Sequence, residues 1–140
     1  MSVKVFIDTN VLVYAYDVDA GRKRHTAQQI LLGLRQDRSG ALSMQVLQEF
    51  YNTVTRKLAS PVPRDKARVV VDCFTYWCVA TTPDEIKRVF QIEDEVRINF
   101  WDAMIIAAAI KSGASRILSE NLNPGQIIAG IQIENPFAVP

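Results

Sequence analysis

The chain has 140 residues, 49% of them hydrophobic and 22% charged, a balance that excludes a disordered or fibrous protein and suits one domain, residues 1–140, around a single core. Sixteen Lys and Arg face fifteen Asp and Glu, so overall charge argues neither for nor against nucleic acid. The longest wholly apolar run, Ala103 to Ile110, falls short of the ~20 residues that cross a bilayer, and Asp8 breaks the N-terminal apolar stretch before it can act as a signal core, so the expected compartment is the cytoplasm, with no membrane partner.

Val3 to Ile7 is a β-branched and aromatic run that ends at Asp8-Thr9-Asn10, the pattern of a buried strand running into a helix start. Arg24 to Arg38 carries Ala27, Ile30, Leu31 and Leu34 at helical spacing and stops at Ser39-Gly40. Arg22, Lys23, Arg24 and His25, with Arg35, Arg38, Arg56 and Lys57, are candidates for a phosphate-attracting rim or a solvated basic face. Ala41 to Ser43 reads as a brief strand, with Ser43 capping a helix over Gln45 to Leu58. That helix turns Val46, Leu47, Phe50, Val54 and Leu58 to the core and leaves Glu49, Asn52 and Arg56 on the other side.

The connector Ser60-Pro61-Val62-Pro63 is too short to separate domains, and Arg64 to Tyr76 beyond it has helical character before the apolar run Trp77 to Ala80. Cys73 and Cys78, roughly 140° apart on a helix, match neither a redox pair nor a metal pair and are expected in the core. Thr82-Pro83-Asp84-Glu85 is a helix start, and Glu93-Asp94-Glu95 near that helix's end reads as solvated surface. Asn99 to Asp102 opens a helix that is apolar on every side as far as Ile110, so it is expected to be buried, with Gly113 closing it. Ala114 to Leu118 is a strand, Leu122 to Gly125 a turn, and Ile131 to Ile133 a final, half-exposed strand. Strands of near-continuous apolar character separated by helices predict an α/β fold with a parallel sheet covered on both faces, whose ligands bind beyond the carboxyl ends of the strands.

Three acids stand where solubility does not require them. Asp8 follows the first strand, as an N-cap or Asx-turn residue or as a chemical group. Asp102 sits in the first turn of the buried helix, where the macrodipole favours an anion by ~0.3–1 kcal/mol. Glu49, beside Asn52, reads as a surface residue or a third member of a cluster. Two carboxylates brought to ~4 Å at an effective dielectric of ~20 repel by roughly 4 kcal/mol, about three pKa units. Such a group holds a proton or a cation, and an all-oxygen set without His or Cys suits Mg²⁺ or Mn²⁺, whose waters can attack a phosphodiester. His25 has no candidate triad around it, and no Walker or GxGxxG run occurs. An aspartyl nucleophile of the haloacid-dehalogenase kind needs a second acid two residues on, where this chain has Asn10.

Ile7-Asp8-Thr9-Asn10, Ser43 to Glu49-Phe50, Phe100-Trp101-Asp102-Ala103 and Ile117-Leu118-Ser119-Glu120-Asn121-Leu122, in this order and at these separations, resemble the PIN domain, and closely the bacterial VapC-type toxin ribonucleases. The resemblance covers nearly the whole chain. It implies a three-layer α/β/α sandwich with a central parallel sheet, and Mg²⁺ or Mn²⁺ held by Asp8, Glu49 and Asp102, with Asp8 and Asp102 the most direct ligands, for cleavage of single-stranded or looped RNA. It also implies that Thr9 and Ser119 position water or metal-bound groups, that Asn10 holds the turn, and that the protein forms a homodimer inhibited by a VapB-like antitoxin. The family commonly has Asp where this chain has Asn121, so a fourth acid is missing unless Glu120 turns inward. The second reading is therefore a catalytically impaired PIN-like module that binds RNA.

Overall fold

Val5, Phe6 and Ile7 are all buried in the first strand, β1 (Lys4–Ile7), so both faces of the sheet at that strand are covered. The computed structural model describes residues 3–138. β1 lies between two parallel neighbours, β2 (Gly40–Ala41) and β3 (Ala114–Leu118). β3 pairs in turn with parallel β5 (Ile131–Glu134), and β4 (Ile127–Ile128) closes the order β2-β1-β3-β5-β4. β4 runs antiparallel, a departure from the all-parallel expectation, because only Ala129 and Gly130 join it to β5. Both adopt positive φ, 51° and 79°, the backbone of a two-residue hairpin turn that cannot serve a parallel crossover.

The helices are α1 (Thr9–Tyr16), α2 (Arg22–Asp37), α3 (Met44–Arg56), α4 (Arg64–Phe74), α5 (Ile86–Val96) and α6 (Phe100–Ser112). α1 packs on α2 and α3, and α3 on α4, while α5 packs on α6, which lies against β1 and β3. The α/β/α sandwich expected from the sequence is the architecture found. Ser43 caps α3 by accepting a bond from the Val46 N–H, and Gly113 ends α6 in the left-handed conformation. α6 buries Ala103 and Ile105 to Ala109, but Trp101 in its first turn is 63% exposed, so the helix is not covered on every side.

The cysteine expectation is corrected. Cys73 is exposed and Cys78 only half-buried. α4 turns Ala67, Val70, Val71 and Phe74 inward at positions three, four and seven apart, and Cys73 falls outside that stripe beside exposed Asp72. His25 is exposed, as expected. Among the described residues no helix is long and apolar enough to cross a membrane.

Candidate active site at the ends of β1 and β3

The register of β1 on β3 sets Ile7 opposite Leu118, so the next residue of each strand, Asp8 and Ser119, emerges side by side at the carboxyl edge of the sheet. The Asp8 N–H donates to the Leu118 carbonyl at 3.0 Å, the last ladder bond between the two strands. Asp8 then caps α1, its Oδ1 accepting the Thr9 N–H at 2.7 Å. Its Oδ2 accepts from the fully buried Ser119 hydroxyl at 2.7 Å and from the Asn10 amide at 3.5 Å. The capping reading is therefore found, and it uses one oxygen of the carboxylate only, the other being taken by the side chains of Ser119 and Asn10.

Burial drives the Asp8 carboxyl above the ordinary aspartate value. The bonds from Ser119 and Thr9 pull it back, and the charges of Glu49 and Asp102 push it up again. Glu49 projects from the exposed side of α3, where Oε2 accepts from the Thr9 hydroxyl at 3.3 Å and Oε1 from the Gln45 amide at 2.8 Å. The same Gln45 amide donates to the Trp101 carbonyl at 3.2 Å, tying α3 to the first turn of α6. Asp102, half-buried in that turn, exchanges two bonds with Asn99: its N–H meets Oδ1 at 2.9 Å and its Oδ2 accepts the amide at 3.0 Å. Among the described residues, none of Asp8, Glu49 and Asp102 takes part in an ion pair.

The donor set is all oxygen and rich in uncompensated negative charge, which fits a hard divalent ion. Among the described residues, however, no three His, Cys, Asp or Glu side chains converge closely enough to hold one as arranged. Glu49 and Asp102 are instead held by the neighbouring amides of Gln45 and Asn99.

The loop after β3 contains the remaining predicted residues. The Ser119 hydroxyl gives its proton to Asp8 and receives the N–H groups of Asn121 and Leu122 at 3.1 and 3.2 Å. Its bonding capacity is thereby committed. Asn121 is exposed. Glu120 pairs with Lys23 at 2.7 Å and accepts a hydrogen bond from the Tyr14 hydroxyl. Burial pushes its carboxyl up, but the bonds from Lys23 and Tyr14 outweigh that and leave it below the usual glutamate range. Sequence reasoning did not find Tyr14 and Gln45, and it set Lys23 on a phosphate-attracting rim or a solvated basic face, whereas the structure pairs it with Glu120. Tyr14 had a signal, because Asn10 and Tyr14 stand four apart on α1 and so share a face toward this loop.

The model of the PIN domain family matches residues 5–124. No curated protein matches the sequence. Among solved structures, the chain is similar to a toxin-antitoxin complex from Klebsiella pneumoniae, with TM-score 0.70 and 19% identity over 97% of this chain and 100% of that one. It is similar to VapBC2 from Rickettsia felis bound to a promoter DNA fragment, with TM-score 0.66 and 18% identity over 95% and 98% of the two chains. It is also similar to VapC20 of Mycobacterium tuberculosis, a toxin that cleaves the sarcin-ricin loop, with TM-score 0.59 and 18% identity over 81% and 87%. At these identities the likeness is one of fold.

Proposed function

Because the chain belongs to the PIN domain family, we propose that it is a metal-dependent endoribonuclease, a single domain over residues 1–140 acting as the toxin of a toxin-antitoxin pair. The observation that carries this reading is the buried Asp8 carboxyl, held above the ordinary aspartate value by burial first and by the charges of Glu49 and Asp102 after it, with no ion pair from the described residues to offset them. The names of the solved neighbours, toxin-antitoxin and VapBC complexes among them, support a VapB-like antitoxin as partner and RNA as substrate. Homodimer formation and a cytoplasmic location go with that reading.

Asp8, Asp102 and Glu49 are the residues that would hold Mg²⁺ or Mn²⁺. Such an ion, when bound, makes water more acidic and neutralises charge on the phosphate. The rest is done by the chain. Thr9 N–H and the Ser119 hydroxyl fix the Asp8 carboxylate, the Thr9 hydroxyl and Gln45 orient Glu49, and Asn99 orients Asp102. Exposed Arg22 and Arg24 at the start of α2 offer charge to the RNA backbone, Lys23 between them being engaged by Glu120.

Incubating labelled single-stranded RNA with the protein and Mn²⁺, with and without chelator, tests the reading. Chelator-sensitive cleavage that Asp8→Asn abolishes is expected. The second reading, a PIN-like scaffold that binds RNA without cutting it, is favoured by exposed Asn121 in place of a fourth acid. RNA retained but uncleaved with every divalent ion tried would establish it in place of the first.

A further inference from the structure

Beyond Ser119, whose N–H donates to the Glu134 carbonyl at 2.9 Å, the loop that carries Glu120 and Asn121 leaves the β3–β5 ladder. Glu120 is then held from three directions. Its N–H donates to the Asn10 Oδ1 at 3.1 Å, its Oε1 accepts from the Tyr14 hydroxyl, and its Oε2 meets the Lys23 ammonium at 2.7 Å. The Lys23 nitrogen also stands 5.0 Å from the centre of the Tyr14 ring, and that ring makes a T-shaped contact with Phe137 at 5.0 Å between centroids. α1, α2 and the loop thus converge on one carboxylate.

We infer that Tyr14, Lys23 and Glu120 form a latch, three positioning residues that hold the Ser119–Leu122 turn so that the Ser119 hydroxyl and the Asn10 amide stay on Asp8. Both Glu120 oxygens are spent on Tyr14 and Lys23, so Glu120 does not replace the acid missing at Asn121. Its place in the chain is what matters. The residue before it gives Asp8 the 2.7 Å bond that offsets burial, and its own N–H fixes the Asn10 side chain that reaches the same Asp8 oxygen. Two N–H groups from the following residues close the turn on the Ser119 oxygen. Releasing Glu120 loosens this turn and lets the Asp8 carboxylate rotate on its remaining bond from Thr9.

The role in catalysis rests on the nuclease reading, whereas the role in the loop does not, and the two separate experimentally. Amide hydrogen exchange on the full chain, without metal or RNA, reads the loop: Glu120→Gln and Tyr14→Phe are expected to speed exchange at Asn121 and Leu122 by about tenfold or more, with β1 and α6 unchanged. Lys23→Arg, which keeps the ion pair, is expected to match the wild type. In the Mn²⁺ cleavage assay the first two variants lower kcat about tenfold at unchanged KM, as loss of a residue that orients a ligand does. Unchanged exchange at Asn121 and Leu122 in both variants overturns the latch whatever the protein cuts. Mn²⁺ binding lost as completely in Glu120→Gln as in Asp8→Asn, measured by paramagnetic relaxation of water protons, makes Glu120 a ligand and overturns it too. A raised KM with unaltered kcat in these variants assigns Tyr14 and Glu120 to substrate binding instead and sinks the positioning role. A wild type that neither binds Mn²⁺ nor cleaves RNA, with the two variants still showing faster exchange at Asn121 and Leu122, leaves the latch standing and removes the nuclease.

Discussion

Asp8 and Glu85 are both carboxylates at the start of a helical segment, and they are treated in opposite ways by the same chain. Glu85 closes a capping box with Thr82, accepting its N–H and hydroxyl, and pairs with Lys111 from the last turn of α6. The Lys111 bond first and the Thr82 N–H second hold its carboxyl down at about 2. Asp8 also caps a helix, but burial and two neighbouring acids hold its carboxyl up, and no cation among the described residues answers it. Capping alone therefore does not account for Asp8. An acid whose surroundings favour its charge is explained by the fold, whereas one kept at electrostatic cost points to something the fold is arranged to receive.

The contrast is sharpest at Asp8 itself. Asp8→Asn is expected to lower chelator-sensitive cleavage about a thousandfold, some 4 kcal/mol of transition-state stabilisation. Without divalent ions the same variant should melt no lower than the wild type, since the amide removes a buried charge. A variant that stays active, or that unfolds while Glu85→Gln does not, would place Asp8 with Glu85 as a structural acid. Ser119→Ala is expected to come next. It strips the 2.7 Å donor from Asp8 and leaves the Asn121 and Leu122 N–H groups without their acceptor, a loss of about 2 kcal/mol of stability in urea titration.

What was legible in the sequence follows the range of the forces involved. The ends of β3, the cap Ser43, the opening of a helix at Asn99 and the Thr82–Glu85 helix start are local decisions of turn chemistry and side-chain period, and each is found where the residues place it. β4 escaped notice because two residues carry no period, and its pairing depends on a hairpin turn with Ala129 at positive φ. Cys73 was misplaced because spacing between two cysteines says nothing of the stripe their helix buries. At the site, the acids could be read one by one, but their present partners could not. Gln45 on Glu49, Asn99 on Asp102, and Tyr14 and Lys23 on Glu120 include contacts between residues as far apart as Tyr14 and Glu120, which only the assembled sheet brings together.

The pH dependence of stability separates the two acids with the smallest perturbation. An acid with a raised folded pKa favours folding while protonated, so the Asp8 contribution is complete below 3.8 and is lost as pH rises through its higher folded value. Glu85 has the opposite sign. Its contribution is complete above 4.5 and is lost as pH falls toward about 2. Thermal melts of the metal-free protein from pH 2 to pH 7 should accordingly show Glu85→Gln melting below the wild type at neutral pH, with the gap closing toward pH 2, and Asp8→Asn gaining on the wild type as pH rises above 3.8. The Glu85 effect should be the weakest of the series, because its ion pair with Lys111 is accessible to water and screened by it. Added salt should shrink it further. A Glu85→Gln gap that widens toward low pH, or an Asp8→Asn curve parallel to the wild type throughout, would erase the distinction between an acid the fold uses and an acid the fold tolerates.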